Sequence, residues 1–423
     1  MVKLVPVKDN SSIDELSDHP IVTKLANKDL SVLEKENFLV FPEQLSQSVD
    51  LNGDNFIFTQ KNDATRTCNI VGILSDGNDE LRINSRFSQT NEEDYFLRYM
   101  LQRVLNYNVV NSKLGLSNEM SYYDLLVFLF PYYLNRALSK GVYKEYVNKK
   151  YDDANIKGPI EISRHIKGNV PFTGKVAYRT REFSYDNNMT ELIRHTIEKI
   201  QLAYDFILVN EDTRESVRTI KRITGNYSRF DRQRVVQENR VKRVKHGYFT
   251  EYAALQRLCI QILNEDKSGF GNGETKVHGI IIDVAWLWEE YIWKITGWKH
   301  YGRRSDLATL NFFSRLGNDA QQHRYPDFEC DGIPIDTKYK RNLDKRNDYN
   351  QLATYIHLMR SEKGGFLQPS QFESGYQKLG NMAGFGGELF TYRFGIPQDY
   401  NDYDDFVKQI ENSENKLKAL SLN

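Results

Sequence analysis

The sequence predicts an α+β chain of three parts. One is a strand-rich N-terminal region, the next a helical and basic middle region, and the last a C-terminal domain with a mixed sheet flanked by helices. Three observations carry this. Short apolar stretches bounded by turn residues recur over residues 1 to about 88. Capping signals followed by helical periodicity begin near Thr90. Late in the chain, Phe328 to Cys330 and Ile333 to Tyr339 flank Asp331-Gly332, a dipeptide suited to the positive φ angles of a tight hairpin.

In the first region, Phe38 to Phe41, Phe56 to Gln60, and Asn69 to Leu74 paired with Leu81 to Ile83 across Asp76-Gly77 read as strands of a half-closed sheet or small barrel. Thr90-Asn91-Glu92-Glu93 is a capping box opening a helix whose apolar face is Tyr95, Phe96, Tyr99, Met100 and Leu105. A second helix opens at Ser121 to Asp124 and runs to Leu138, apolar nearly all round and therefore buried. The charged, tyrosine-rich stretch from Val142 to Gly158 reads as a linker. Lys157 to Arg164 and Lys175 to Phe183 read as strands, followed by a helix from Thr190 to about Val209 with Asn188 and Glu191 as its capping pair. The division expected is 1–155, 156–270 and 271–423.

Composition narrows the function. The chain has 423 residues and a formal net charge of zero, so any nucleic-acid surface has to be local. The three cysteines, Cys68, Cys259 and Cys330, are too dispersed for a zinc pattern or a disulfide framework. The N-terminus lacks the order of a signal peptide, and the most apolar run, Leu125 to Phe130, is far too short to span a bilayer. A soluble, cytoplasmic protein is expected.

The chemistry concentrates on Tyr325-Pro326-Asp327 and Asp336-Thr337-Lys338-Tyr339-Lys340. Side chains alternate along a strand, so Asp336, Lys338 and Lys340 share one side, and the hairpin returns Asp327 to the same neighbourhood. Two carboxylates and a lysine in one small volume suit metal-assisted phosphodiester cleavage. Hard cations such as Mg²⁺ (or Mn²⁺) take carboxylate oxygens, and Lys338 can orient water or offset phosphate charge. The alternative is an exposed hairpin with a solvated charged face. Pro-Asp followed by Asp-x-Lys resembles the PD-(D/E)xK nuclease signature. Gln351 and Tyr355, one helical turn apart, resemble the Q-x-x-x-Y element of its RecB-like branch. Upstream, Ile280 to Thr296 reads as a helix with two candidate third ligands. Glu289 falls with Ile282, Ala285, Trp286, Ile292 and Trp293 on the apolar stripe, where a carboxylate needs a partner or a metal. Glu290 falls with Asp283 and Lys294. Glu289 is preferred; its other reading is a core-edge acid paired to an arginine.

Residues 210 to 247 are basic, with Arg222, Arg229, Arg232, Arg234, Lys242 and Arg243 among their cations and Tyr227 and Phe230 interleaved. They form either a DNA-backbone track, to which Lys340 would add, or solvated helical faces. The glycine-rich Ser268 to Lys276 reads as a connector. Gly168 to Val176 misses the Walker A pattern: five residues separate its glycines, and Val176 replaces the hydroxyl residue. No loop for a nucleotide is found, so a hydrolytic motor would be another chain. His323 reads as a loop histidine. His278 and His300 have no zinc spacing, and no serine sits in a nucleophile elbow.

Four segments in order, Lys157-Gly158-Pro159-Ile160-Glu161-Ile162 with Ile166-Lys167-Gly168, Asp186 to Ile193, Asp336 to Lys340, and Tyr349 to Tyr355, resemble the McrC family. This family supplies the nuclease subunit of McrBC-type (LlaJI-like) GTP-dependent restriction systems. The resemblance covers about residue 157 to the end and implies an Mg²⁺-dependent DNA endonuclease subunit of a bacterial anti-phage defence complex. Asp327, Asp336 and Glu289 would be the metal ligands, Lys338 would position water, and Gln351 and Tyr355 would support them. It also implies a hexameric McrB-like AAA+ GTPase as partner, with the N-terminal region docking into that ring, and double-stranded, methylated DNA as target. Two other readings stand beside it: a non-catalytic adaptor of an AAA+ ring, and a stand-alone RecB-like repair nuclease.

Overall fold

A computed structural model describes residues 2–420 apart from 36–37, 43–55, 63, 77–78, 90–93, 106–121, 265–276, 302–308, 314–321 and 385. The chain divides into two compact units. One joins Met1–Tyr122 to Phe270–Asn423; the other is the continuous segment Tyr123–Gly269. This differs from the expected three-part division because a strand far along the chain completes the N-terminal sheet. His278–Asp283 lies between Ile70–Ser75, to which it is antiparallel, and Leu39–Phe41, to which it is parallel. Among the described residues that sheet is open, with Val2–Lys3, Asp79–Asn84, Ile70–Ser75, His278–Asp283 and Leu39–Phe41 in spatial order and Val7–Lys8 also on Asp79–Asn84. Gly72 explains the tight fit at its centre. A Cβ there would stand 2.0 Å from the Ile280 carbonyl oxygen, and its φ of +151° is one that side-chain-bearing residues rarely adopt.

The same strand feeds the next helix without a loop. Asp283 ends the strand and caps Val284–Thr296, accepting from the Ala285 and Trp286 amides at 2.9 and 3.1 Å. Gly297, at φ +66°, closes the helix. Its buried face is Val284, Leu287, Trp288, Tyr291, Ile292 and Ile295. This corrects the expected stripe: Ala285, Trp286, Glu289 and Trp293 lie half-buried on the flank.

The second sheet of this unit runs, in spatial order, Lys299–His300, Phe328–Cys330, Ile333–Thr337, Lys363–Ser370, Glu388–Gly395 and Gly375–Asn381. The expected hairpin forms at Asp331-Gly332, both at positive φ, with Phe328 opposite Ile335. The following two strands pair in parallel, Asp336 with Phe366 and Phe366 with Thr391. Helices cover both faces. Asn347–Met359 packs Leu352, Tyr355 and Ile356 against Phe366 and Leu389. On the other face Trp288 and Tyr291 meet Phe394 edge-on, with ring centroids 5.6 and 5.9 Å apart. The helix Tyr403–Lys418 joins them through Glu414. This buried carboxylate accepts from Tyr99 Oη at 2.8 Å, Tyr291 Oη at 3.0 Å and Arg103 Nη2 at 2.7 Å.

The other unit holds Tyr122–Leu138 from Tyr123 on, as expected, and a two-stranded antiparallel ribbon, Glu145–Asp153 with Val176–Ser184. The first of these strands replaces the expected linker, and its residues alternate strictly between half-buried and exposed. Ile162–Asn169 is a helix where a strand was expected; only Ile160 bridges to Tyr178. Helix Asn188–Ala203 starts two residues early. Its capping box is Asn187 with Thr190 rather than Asn188 with Glu191, because Asn187 Oδ1 accepts from the Met189 and Thr190 amides. Thr90 to Glu93 and the glycine-rich connector Ser268 to Lys276 lie outside the described residues. Among the described residues no helix is long and apolar enough to cross a membrane.

Candidate active site

The site forms where the Ile333–Thr337 strand ends against the Asn347–Met359 helix. Asp336 is wholly buried at 0% exposure. Strand alternation turns it away from Ile335 and toward the face that this helix covers. Lys338 Nζ lies 2.7 Å from its Oδ2, and neither carboxylate oxygen otherwise meets a hydrogen-bond donor among the described residues. Burial pushes the Asp336 carboxyl up to about 8; the negative charge of Asp327 adds to this and Lys338 opposes it. Burial works against the Lys338 ammonium, but the Asp336 and Asp327 charges outweigh it and hold its pKa above the usual lysine range.

Asp327 is fixed by the strand across the hairpin. Its Oδ2 accepts from the Thr337 amide at 2.6 Å and from Thr337 Oγ1 at 2.7 Å. Sequence alternation turned Thr337 away from the site, and only the pairing register shows its role. A linear network then runs outward. Lys338 Nζ donates to Gln351 Oε1 at 3.1 Å, Gln351 Nε2 to Tyr355 Oη at 2.9 Å, and Tyr355 Oη to the Tyr325 carbonyl at 3.0 Å. The structure therefore gathers Asp327, Asp336, Lys338, Gln351 and Tyr355, and the chain returns through Tyr325 to Asp327.

Glu289 is ion-paired with His300. Its helix covers the opposite face of the sheet, and Glu289 Oε1 lies 2.9 Å from His300 Nε2, while His300 Nδ1 lies 2.7 Å from the Tyr301 carbonyl. The His300 ring packs on Phe328 at 5.0 Å. Burial lowers the His300 pKa and the Glu289 carboxylate raises it; the net direction is upward. No three His, Cys, Asp or Glu side chains among the described residues form a group able to hold a metal. Asp327 and Asp336 are the carboxylates whose charges act together on Lys338. They fit a hard cation that keeps several waters, because the oxygens of Asp336 are buried and, among the described residues, meet no donor besides Lys338.

The family whose description reads McrBC 5-methylcytosine restriction system component matches residues 65–368. The chain belongs to this McrBC family. No curated protein matches it. Among solved structures, it is similar to a refined half-complex from a tetradecameric assembly of Thermococcus gammatolerans McrB AAA+ hexamers with bound McrC. The identity is 13%, the TM-score 0.45, and the match covers 97% of this chain and 100% of that chain. A cryo-EM structure of the Thermococcus gammatolerans McrBC complex matches at 13% identity and TM-score 0.31, over 70% of this chain and 87% of that one.

In this McrBC-family chain the expected basic track is partly neutralised. Arg234 contacts Asp231 at 3.1 Å, Glu238 at 3.2 Å and Glu191 at 3.5 Å. Lys242 pairs with Glu145, Arg232 donates to the Leu263 carbonyl at 2.8 Å, and Lys340 pairs with Asp348 at 2.5 Å. Arg222, Arg229 and Arg243 are exposed, with Arg229 over the Phe230 ring at 4.8 Å.

Proposed function

We propose that this chain is the DNA endonuclease subunit of an McrBC-type restriction complex, cutting phosphodiester bonds with Mg²⁺ or Mn²⁺. The observation that carries the reading is the buried Asp336 carboxylate beside Lys338, with Asp327 just before the adjoining strand. Burying a carboxylate is costly, the single ammonium of Lys338 offsets only part of that cost, and a bound cation would offset more. Asp327 and Asp336 would hold the ion; Glu289, paired with His300 here, is the proposed third acid. The cation, when bound, polarises the phosphate and makes an attacking water more acidic.

The chain's own residues do the rest. Lys338 places positive charge beside the reacting phosphate and orients water. Gln351 fixes the ammonium in position. Tyr355 ties that tether to the Tyr325 carbonyl and so to the segment entering Asp327. In this reading the partner is a McrB-like AAA+ GTPase ring and the substrate is double-stranded DNA, both following from the family and the four matching segments. The test is plasmid cleavage in Mg²⁺ or Mn²⁺ by wild type and Asp336→Ala, with and without such a partner and GTP, on methylated and unmethylated DNA. Cutting by wild type alone supports the nuclease reading. A stable GTP-hydrolysing complex that cuts neither DNA overturns it in favour of an adaptor.

A further inference from the structure

The stretch Lys338 to Arg341, which follows the strand Ile333–Thr337, is held from two sides. Lys338 and Lys340 turn toward the helix Asn347–Met359, where Lys338 meets Asp336 and Gln351 and Lys340 meets Asp348. Tyr339 and Arg341 turn the other way. Both reach Ser85-Arg86-Phe87, the segment that leaves the N-terminal sheet after Asp79–Asn84. Tyr339 Oη lies 2.6 Å from Ser85 Oγ, a hydrogen bond in which either hydroxyl can donate. The Tyr339 ring meets Phe87 edge-on at 5.0 Å, and the Arg86 guanidinium stands 5.1 Å from the Tyr339 centroid. Arg341 Nη2 donates to the Arg86 carbonyl at 2.7 Å.

This grip is built on buried charge. Ser85 and Asp9 are wholly buried, and Arg86 and Tyr339 are 6% exposed. The Arg86 amide donates to Asp9 Oδ1 at 2.5 Å and its Nε to Asp9 Oδ2 at 2.8 Å, while its Nη2 also reaches Asn69 Oδ1. The Ser85 amide donates to Asp94 Oδ2 at 2.5 Å. A buried ion pair adds little stability over apolar residues of like volume; its best-attested use is to fix a single geometry. Lys338 sits where the main chain needs such fixing. The ladder with Lys363–Ser370 ends at Thr337 opposite Leu367, and the Lys338 amide then donates to the Leu367 carbonyl at 2.9 Å. Beyond it the chain turns, with the Lys340 amide donating to the Lys338 carbonyl at 2.8 Å. Past the end of the ladder, neighbouring side chains hold the backbone, and Tyr339 is the buried one.

We propose that Tyr339, backed by Ser85 and Arg86, is a positioning residue for Lys338: it pins the backbone that carries the ammonium to the N-terminal sheet and so holds the ammonium between Asp336 and Gln351. The effect on cleavage rests on the nuclease reading; the effect on Lys338 itself does not. The variants are Tyr339→Phe, which keeps the ring and loses the hydroxyl, Ser85→Ala, and the two combined. Tyr291→Phe is the control, since it removes a buried phenol bond to Glu414 instead. Two quantities are read on each full-length variant. One is kcat and KM for metal-dependent cleavage under the conditions in which wild type cuts. The other is the rate at which an amine-acylating reagent labels Lys338, followed by peptide mass spectrometry against the exposed Lys157. Tyr339→Phe is expected to lower kcat about three- to tenfold with KM within about twofold, and to raise Lys338 labelling about threefold or more. The double variant is expected to stay within about twofold of Tyr339→Phe, because Ser85 acts through the same hydroxyl. Tyr291→Phe is expected to melt lower without moving either quantity.

Unchanged Lys338 labelling in Tyr339→Phe overturns the proposal, and so, where wild type cuts, does an unchanged kcat. Equal changes in Tyr291→Phe overturn it as well, since they would mark a loss of stability alone. Losses in the double variant that add in full overturn the part given to Ser85. A wild-type chain that cuts no DNA overturns the nuclease reading instead, and Lys338 labelling then decides the positioning by itself.

Discussion

Lys338 and Asp336 form an ion pair at 2.7 Å whose two members are anchored unequally. The ammonium is also held by Gln351, and the wholly buried carboxylate has no other donor among the described residues. Removing each member therefore has a different effect. Asp336→Ala is expected to abolish both cleavage and metal binding. Lys338→Met is expected to lower cleavage by about 10²–10³-fold while leaving a metal site. The check is thermal melting with and without Mg²⁺. Metal at about 100 times its Kd adds about 2.7 kcal/mol to wild type, Lys338→Met keeps an upward shift, and Asp336→Ala shows none.

Gln351→Leu removes the tether of Lys338 but touches neither acid. Its expected signature is a fall in kcat of about tenfold with KM nearly unchanged, since the lost contact acts on the reacting state. Tyr355→Phe removes both the hydrogen bond to the Tyr325 carbonyl and the acceptor of Gln351 Nε2, and is expected to cost about 1–2 kcal/mol of stability, read by urea unfolding.

Glu414 unites three helices by accepting from Tyr99, Tyr291 and Arg103. Glu414→Ala leaves Arg103 and two buried phenols without that acceptor. The expected loss is about 3–5 kcal/mol, measured as a lower urea midpoint. Glu414→Gln keeps an acceptor oxygen and is expected to lose less.

His195 is buried against the Tyr227 ring at 4.7 Å. Burial, with Arg232 adding to it, lowers its pKa from 6.5 to about 4. The folded chain therefore holds it neutral, while the unfolded chain protonates it near pH 6.5. The stability it contributes is complete above pH 6.5 and is lost as pH falls toward 4, by about 3 kcal/mol in all. Unfolding free energies from pH 7.5 to 4.5 should decline more steeply in wild type than in His195→Gln.

Much of the site was legible because its signals are local. Asp331-Gly332 fixes the hairpin, and the spacing of Gln351 and Tyr355 fixes their common face. The roles of Thr337 and His300 were not legible, since each is defined by a partner reached only through strand register or helix packing. The ribbon was hidden for a related reason. Glu145–Asp153 carries few strand-forming residues, and its pairing with Val176–Ser184 is what makes it a strand. Helix Val284–Thr296 was recognised, but its buried face was misassigned because Trp286 and Trp293 are apolar yet lie on the flank.

The place of His278–Asp283 in the N-terminal sheet has a consequence for how the protein is made. Leu39–Phe41 and Ile70–Ser75 both hydrogen-bond to this strand. During vectorial synthesis on the ribosome, those two strands emerge long before their shared neighbour and present open edges throughout that interval. Tyr123–Gly269, being one continuous stretch, can complete its own contacts while the sheet waits. A nascent chain arrested before residue 278 would thus carry a finished insert and an unfinished host, and would rely on chaperones to keep the exposed edges apart.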